Sequence, residues 1–210
     1  MPLYQILSVE PSSTIYIWKI TESFEDLHRS VILKERSKER VLGMKSESHQ
    51  KGFLAVRRLL MEAGYTDHDL YYNAFGKPHL TDGKHISITH SFDFSCLIIG
   101  NTNAGIDIEL RRPLIIKIAE RFTSEPFVFN CKQNTDEFIR KLTVVWGVKE
   151  TIFKVKNEAG ISFKDHIFSE PFEIEDKKTK ATLLFNGLNC TFEVHFMEVE
   201  NYTLVWAWEL

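Results

Sequence analysis

Two stretches of helical periodicity, each set among short alternating strands with no Pro/Gly/Ser-rich linker between them, constrain this chain most. Residues 48–63, SHQKGFLAVRRLLMEA, place Phe53, Val56, Leu59 and Leu60 on one face, with Gly64 as a stop. They close a longer helical pattern running from Glu22 to Met61. The second helix is expected over 135–157, opening at Thr135-Asp136-Glu137, and a short one over 114–121. Residues 3–9 and 14–20 read as strands around the turn PSS, with further short strands near 69–73, 85–90, 95–100 and 105–109. From about 172 the tail is strand-rich (TLLF, CTFEVHF, TLVWAW), with Asn186-Gly187 as a turn. Each half therefore offers one long helix and several antiparallel strands. That pattern predicts an α+β fold of two similar subdomains, 1–102 and 103–210, although no sequence repeat proves a duplication.

Within the expected strand AGIDIEL (104–110), Ile106 and Ile108 point one way while Asp107 and Glu109 point the other. Side chains at i and i+2 share a face, their Cα atoms roughly 6.6 Å apart. Two anions so placed resist ionising together unless something positive sits between them. Either they face water or they hold a cation. In WGVKETIFK (146–154), Trp146, Glu150 and Lys154 stack on one helix face. Taken alone, Glu150 and Lys154 are equally an ordinary i→i+4 surface pair, worth ~0.3–0.5 kcal/mol. Gly147 in the helix interior suggests close packing there. The alternating stretch ISITHSFDF (86–94) runs into Thr89-His90-Ser91, and AFGKPHL (74–80) makes a turn presenting Lys77. A histidine at a strand end and a lysine on a turn are each, alone, unremarkable structural features.

Composition excludes several classes. With 26 basic against 29 acidic residues the net charge is −3, which argues against a wholesale nucleic-acid binder. Cys96, Cys131 and Cys190 form no CxxC or Cys/His cluster, so a disulfide framework or zinc site is not expected, and a reducing cytoplasm fits. MPLYQILSVEP has no basic leader region and does not read as a signal peptide. No apolar run approaches the ~20 residues of a membrane span.

The motifs gain meaning in order: Gly76-Lys77-Pro78, then Thr89-His90-Ser91, then Gly105-Ile106-Asp107-Ile108-Glu109, then Trp146 with Lys149-Glu150 and Lys154. This series resembles the 4′-phosphopantetheinyl transferase superfamily, and more closely its longer, two-subdomain, surfactin-synthetase-activating branch. The resemblance runs from about Lys51 to Lys154. It implies two subdomains related by a pseudo-twofold, each a long helix on an antiparallel sheet, with the active site in the cleft between them. It implies transfer of the phosphopantetheine arm of coenzyme A to a carrier-protein serine, as in holo-acyl-carrier-protein synthases, releasing 3′,5′-ADP. Asp107 and Glu109 then look like magnesium ligands, and Glu150 like a third ligand or the base that activates the serine. Lys154 is similar to the lysine contacting the pyrophosphate, and His90, with Thr89 beside it, to the histidine near the 3′-phosphate. Lys77 matches a loop lysine of the nucleotide site, and Arg57 an arginine of the first subdomain's helix.

Phosphate chemistry of this kind asks for a hard cation held by oxygen ligands and for positioned charge, with no side-chain nucleophile. Three positions depart from the family pattern. Phe92 stands where glycine is frequent, so the loop after His90 is expected to differ, because phenylalanine does not readily take φ > 0. Phe94 replaces a common tryptophan, and Ile108 leaves only two acids on the strand. Carrier proteins are acidic around their serine, and Arg111, Arg112, Lys117 and Arg121 follow the acidic strand as a candidate docking patch. The same segment also reads as an amphipathic helix with a solvated basic side. A monomer is expected. Two rivals remain: a non-catalytic module binding coenzyme A or carrier protein, and a Mg²⁺-dependent nucleotide hydrolase, for which no GxxxxGK[ST] loop is present.

Overall fold

The computed structural model describes residues 3–210. Helices and antiparallel sheets make an α+β protein, as the pattern of the sequence predicts, in two compact units that divide between Thr102 and Asn103.

The first unit opens with β1 (Leu3–Val9) and β2 (Ser13–Lys19), followed by three helices, α1 (Phe24–Arg29), α2 (Glu35–Leu42) and α3 (Glu47–Glu62). A small hairpin, β3 (Leu70–Tyr72) and β4 (Pro78–Leu80), precedes β5 (His85–Ser91) and β6 (Phe94–Gly100). The four-stranded sheet runs β1-β2-β6-β5, antiparallel throughout. Phe53, Leu54, Leu59 and Leu60 of α3 pack with Trp18, Ile86, Leu97 and Ile99 of the sheet. The single helical pattern expected over 22–61 breaks into three. Val31 and Leu33 are buried between α1 and α2, where the chain turns inward instead of continuing a helix.

The second unit comprises β7 (Ala104–Leu110), α4 (Leu114–Phe122), α5 (Pro126–Phe129), α6 (Thr135–Lys156), α7 (Phe163–His166), β8 (Ile167–Ser169), β9 (Lys178–Phe185), β10 (Leu188–Val199) and β11 (Tyr202–Glu209). Its sheet runs β7-β11-β10-β9-β8, all antiparallel. The β9–β10 turn is Asn186-Gly187, both at positive φ (48° and 81°), as a two-residue hairpin demands. Asn134 caps α6 by accepting from Glu137 N, and Asn157 ends it in the left-handed conformation at φ 50°. Leu142, Val145, Val148 and Ile152 of α6 are fully buried against Val194, Val205 and Ala207, each burial worth roughly 1.5–3 kcal/mol. Helices α5 and α7 and strand β8 escape sequence reading because three or four residues carry no usable period. No helix among the described residues is long and apolar enough to cross a membrane.

Candidate active site

The alternation of β7 puts Ile106 and Ile108 opposite Trp206 and Leu204 of β11, while Asp107 and Glu109 lie opposite Val205 and Thr203. Two glycines bring α6 onto this face. A Cβ at Gly147 would lie 2.5 Å from Val205 Cγ2 and 3.8 Å from Asp107 Oδ2. A Cβ at Gly105 would collide with Thr151 O of the helix backbone. With both Cβ atoms absent, α6 settles close enough for its last turns to reach β7.

Lys154 is the result of that approach. Its Nζ donates to Asp107 Oδ1 at 2.7 Å and to Ile106 O at 3.0 Å. Asp107 is buried, its side chain 5% exposed, whereas Lys154 keeps 27% of its side chain in solvent. One turn earlier stands Glu150. Burial pushes its carboxyl above the ordinary range, the Asp107 charge pushes it further the same way, and Lys154 partly offsets both. Asp107 and Glu150 therefore feel one another's charge, as two ligands of one cation would.

The donor set is all carboxylate, which suits a hard cation such as Mg²⁺. No group of three His, Cys, Asp or Glu among the described residues stands ready around a metal. Glu109, half-buried, turns toward a cavity of about 140 Å³ shared with Arg112, Leu114, Ile115 and Trp146. Trp146 is held edge-on to Phe122 at 5.1 Å and to Phe163 at 5.7 Å.

Two charged residues of the second unit have roles the sequence did not disclose. Lys149, beside Glu150, is completely buried, and its ammonium donates to Glu125 Oε1 (3.0 Å), Phe163 O (3.0 Å) and Ile167 O (2.6 Å). Glu125 is secured in turn by Thr123 Oγ1 and by Ser169 N at 3.1 Å. This pair ties α6 to the segments around α5, α7 and β8. Burial holds the Lys149 ammonium below its ordinary range against the pull of Glu125. Arg111, a docking candidate on sequence, instead donates to Tyr202 O and Glu200 O, both at 2.5 Å, and pairs with Glu198 at 3.3 Å. It fastens the end of β7 to the β10–β11 turn. Arg112, Lys117 and Arg121 are exposed on and beside α4.

In the first unit, β5 carries Thr89, buried, and His90, exposed, opposite Cys96 and Ser95 of β6. Gly52 of α3 makes room for the histidine: a Cβ there would lie 3.2 Å from the imidazole. Phe92, expected to reshape the following loop, takes φ 47° in a two-residue hairpin between Ser91 and Phe94. The turn therefore holds a side chain in a conformation that favours glycine. Lys77 lies on the β3–β4 hairpin, where the Asn73 carboxamide accepts from Phe75 N and Lys77 N, both at 2.9 Å. Burial, with the charges of Lys77 and His79, pushes His85 down. Arg57 is buried, pairs through Nε with Asp67 Oδ1 at 3.0 Å, and covers the Phe53 ring at 3.5 Å. Asp67 also accepts from Lys34 N at 3.0 Å.

In the second unit an acidic strand thus faces a lysine-bearing helix, with Asp107 and Lys154 in contact. Two curated proteins match this chain over most of its length. The 4′-phosphopantetheinyl transferase gsp of Aneurinibacillus migulanus is 24% identical over 172 residues, covering 73% of this chain and 70% of its own. The 4′-phosphopantetheinyl transferase ffp of Bacillus subtilis is 28% identical over 184 residues, covering 82% and 81%. No family model matches the chain. The chain is thus similar, over most of its length, to two proteins named 4′-phosphopantetheinyl transferases.

Proposed function

We propose that this protein transfers the 4′-phosphopantetheine arm of coenzyme A to a serine of an apo acyl or peptidyl carrier protein, releasing 3′,5′-ADP in a Mg²⁺-dependent reaction. The observation that carries the reading is the cluster of Asp107, Glu150 and Lys154, built by two motifs of a chain similar to two named transferases. Asp107 and Glu109, with Glu150, would hold Mg²⁺, which when bound neutralises the pyrophosphate. Glu150, its carboxyl raised by burial and by Asp107, accepts the proton of the carrier serine. The serine oxygen then attacks the β-phosphate bearing pantetheine, and the bond to the leaving 3′,5′-ADP breaks. Lys154 offers its ammonium to the pyrophosphate oxygens. Thr89, His90 and Lys77 hold the nucleotide phosphate, and Arg57 supports that side through its buried pair with Asp67.

The acidic carrier protein docks on Arg112, Lys117 and Arg121, while Arg111 holds the turn beside Glu109. A reducing cytoplasm suits the three free cysteines. The test is chromatography of coenzyme A and its products. The reading expects 3′,5′-ADP to appear only when apo carrier protein and Mg²⁺ are both present. Release without carrier protein would point to a hydrolase, and coenzyme A binding without release to a non-catalytic module.

A further inference from the structure

Helix α3 and strand β5 of the first unit bring two imidazoles together. The rings of His49 and His90 lie 6.0 Å apart between centroids, tilted by 36°, and both residues are exposed. The proposed reaction uses only His90 of the two. Gly52, one turn along α3 from His49, lets His90 lie against the helix, since a Cβ there would come within 3.2 Å of its ring. We infer that His49 is a specificity-determining residue: with His90 it grips a phosphate monoester, the 3′-phosphate of coenzyme A, and so selects coenzyme A against dephospho-coenzyme A. This rests on the proposed function, which gives His90 to the nucleotide phosphate.

Spacing, position and charge all favour such an anion. A phosphate whose oxygens each accept a bond of about 2.8 Å from one ring spans a gap of this size. Rings tilted by 36° at 6.0 Å, in contrast, make neither a stacked nor an edge-on pair. His49 stands in the first turn of α3, where backbone N–H groups lack helical acceptors and the aligned peptide dipoles favour negative charge. Ser46, the N-cap, accepts none of these N–H groups with its side chain. Arg40 adds a positive charge that counters Glu47 of the same turn. Its guanidinium lies 5.5 Å over the ring of Phe53, one turn along from His49, and 5.6 Å over that of Tyr72. A transition metal is the other common occupant of a histidine pair. Among the described residues, however, no third His, Cys, Asp or Glu completes a metal set, and a helix N-terminus disfavours a cation. The count of oxygens then separates the phosphates of coenzyme A. Each phosphate of the pyrophosphate has two terminal oxygens, and the proposed function gives them to Mg²⁺ and Lys154. The 3′-phosphate has three, enough for two imidazoles and a first-turn N–H.

Calorimetry on the full chain measures the affinities of coenzyme A and of dephospho-coenzyme A, which lacks only the 3′-phosphate. Wild type, His49→Leu, His49→Gln and His90→Leu are compared, with thermal melts to confirm folding. Wild type should prefer coenzyme A. His49→Leu should bind coenzyme A about tenfold more weakly, the loss expected for one hydrogen bond to a charged group, and dephospho-coenzyme A as tightly as wild type. His49→Gln, which keeps an N–H donor, should recover part of the loss, and His90→Leu should lose the preference in the same way. An unchanged preference in His49→Leu, or equal weakening toward both nucleotides, would overturn the role of His49. If carrier-dependent release of 3′,5′-ADP persists there, the proposed function stands. A preference that depends on both histidines, in a chain that releases no 3′,5′-ADP, would uphold the phosphate grip and end the proposed function. No binding of either nucleotide by wild type would overturn both.

Discussion

Phe92 at φ 47° shows how a residue can oppose the turn it occupies. The left-handed conformation costs a non-glycine residue roughly 1–2 kcal/mol. Phe92→Gly should therefore raise the urea midpoint by the equivalent of about 1 kcal/mol; an unchanged or lower midpoint would mean that the ring's contacts outweigh the strain. Glu150 carries a penalty of another kind. Its carboxyl is held above the ordinary range, so the folded chain keeps a proton that the unfolded chain releases. The stability this group contributes is full below the ordinary carboxylate pKa and is lost as pH rises through the raised one. Glu150→Gln should then melt higher than wild type at mildly alkaline pH, with the gap closing in acid. The same variant should lose turnover while keeping most of its coenzyme A affinity, and full activity would end the role of Glu150 as base. At this scale the sequence revealed the shared face of Asp107 and Glu109, because strand alternation dictates it. It could not reveal where long side chains end. Arg111 reads as a surface charge until its guanidinium is seen against Tyr202 O and Glu200 O.

The elements assemble the site through contacts that glycine permits and a buried charge secures. Gly147→Ala would drive a Cβ to 2.5 Å from Val205 Cγ2 and push α6 off β11. Overpacking of this kind costs about 1–3 kcal/mol, and Gly105→Ala should cost more, since it meets backbone that cannot yield. Denaturant unfolding of both variants measures the difference. Lys149→Met strands Glu125 without its cation and should cost about 3–5 kcal/mol. The double variant Lys149→Met/Glu125→Leu should recover part of that loss. Independent, additive losses would show that the two residues do not act as a pair. Long elements were legible in the sequence because α3 and α6 repeat their apolar positions over several turns. The Lys149–Glu125 pair was not, because α5, which brings Glu125 to α6, is one helical turn opened by Pro126. Gly147 did announce close packing, though not what it packs against.

For the molecule as a whole, charge decides which partners approach. The net charge is −3, yet Arg112, Lys117 and Arg121 form an exposed basic strip in sequence just after the acidic strand. Neutralising Arg112, Lys117 and Arg121 to glutamine should slow modification of an acidic carrier protein and weaken its salt sensitivity, while coenzyme A affinity stays unchanged. Parallel loss of both would place these residues in the nucleotide site instead. The α+β class followed from strand and helix periods alone, whereas the chemistry needed the order of four motifs as well. The most direct check is the intact mass of an apo acyl carrier protein after incubation with this protein, coenzyme A and Mg²⁺, with EDTA and Asp107→Ala as controls. A gain of one phosphopantetheine group, absent from both controls, is the expected result. An unmodified mass across acyl and peptidyl carrier proteins, from a folded protein that still binds coenzyme A, would contradict it.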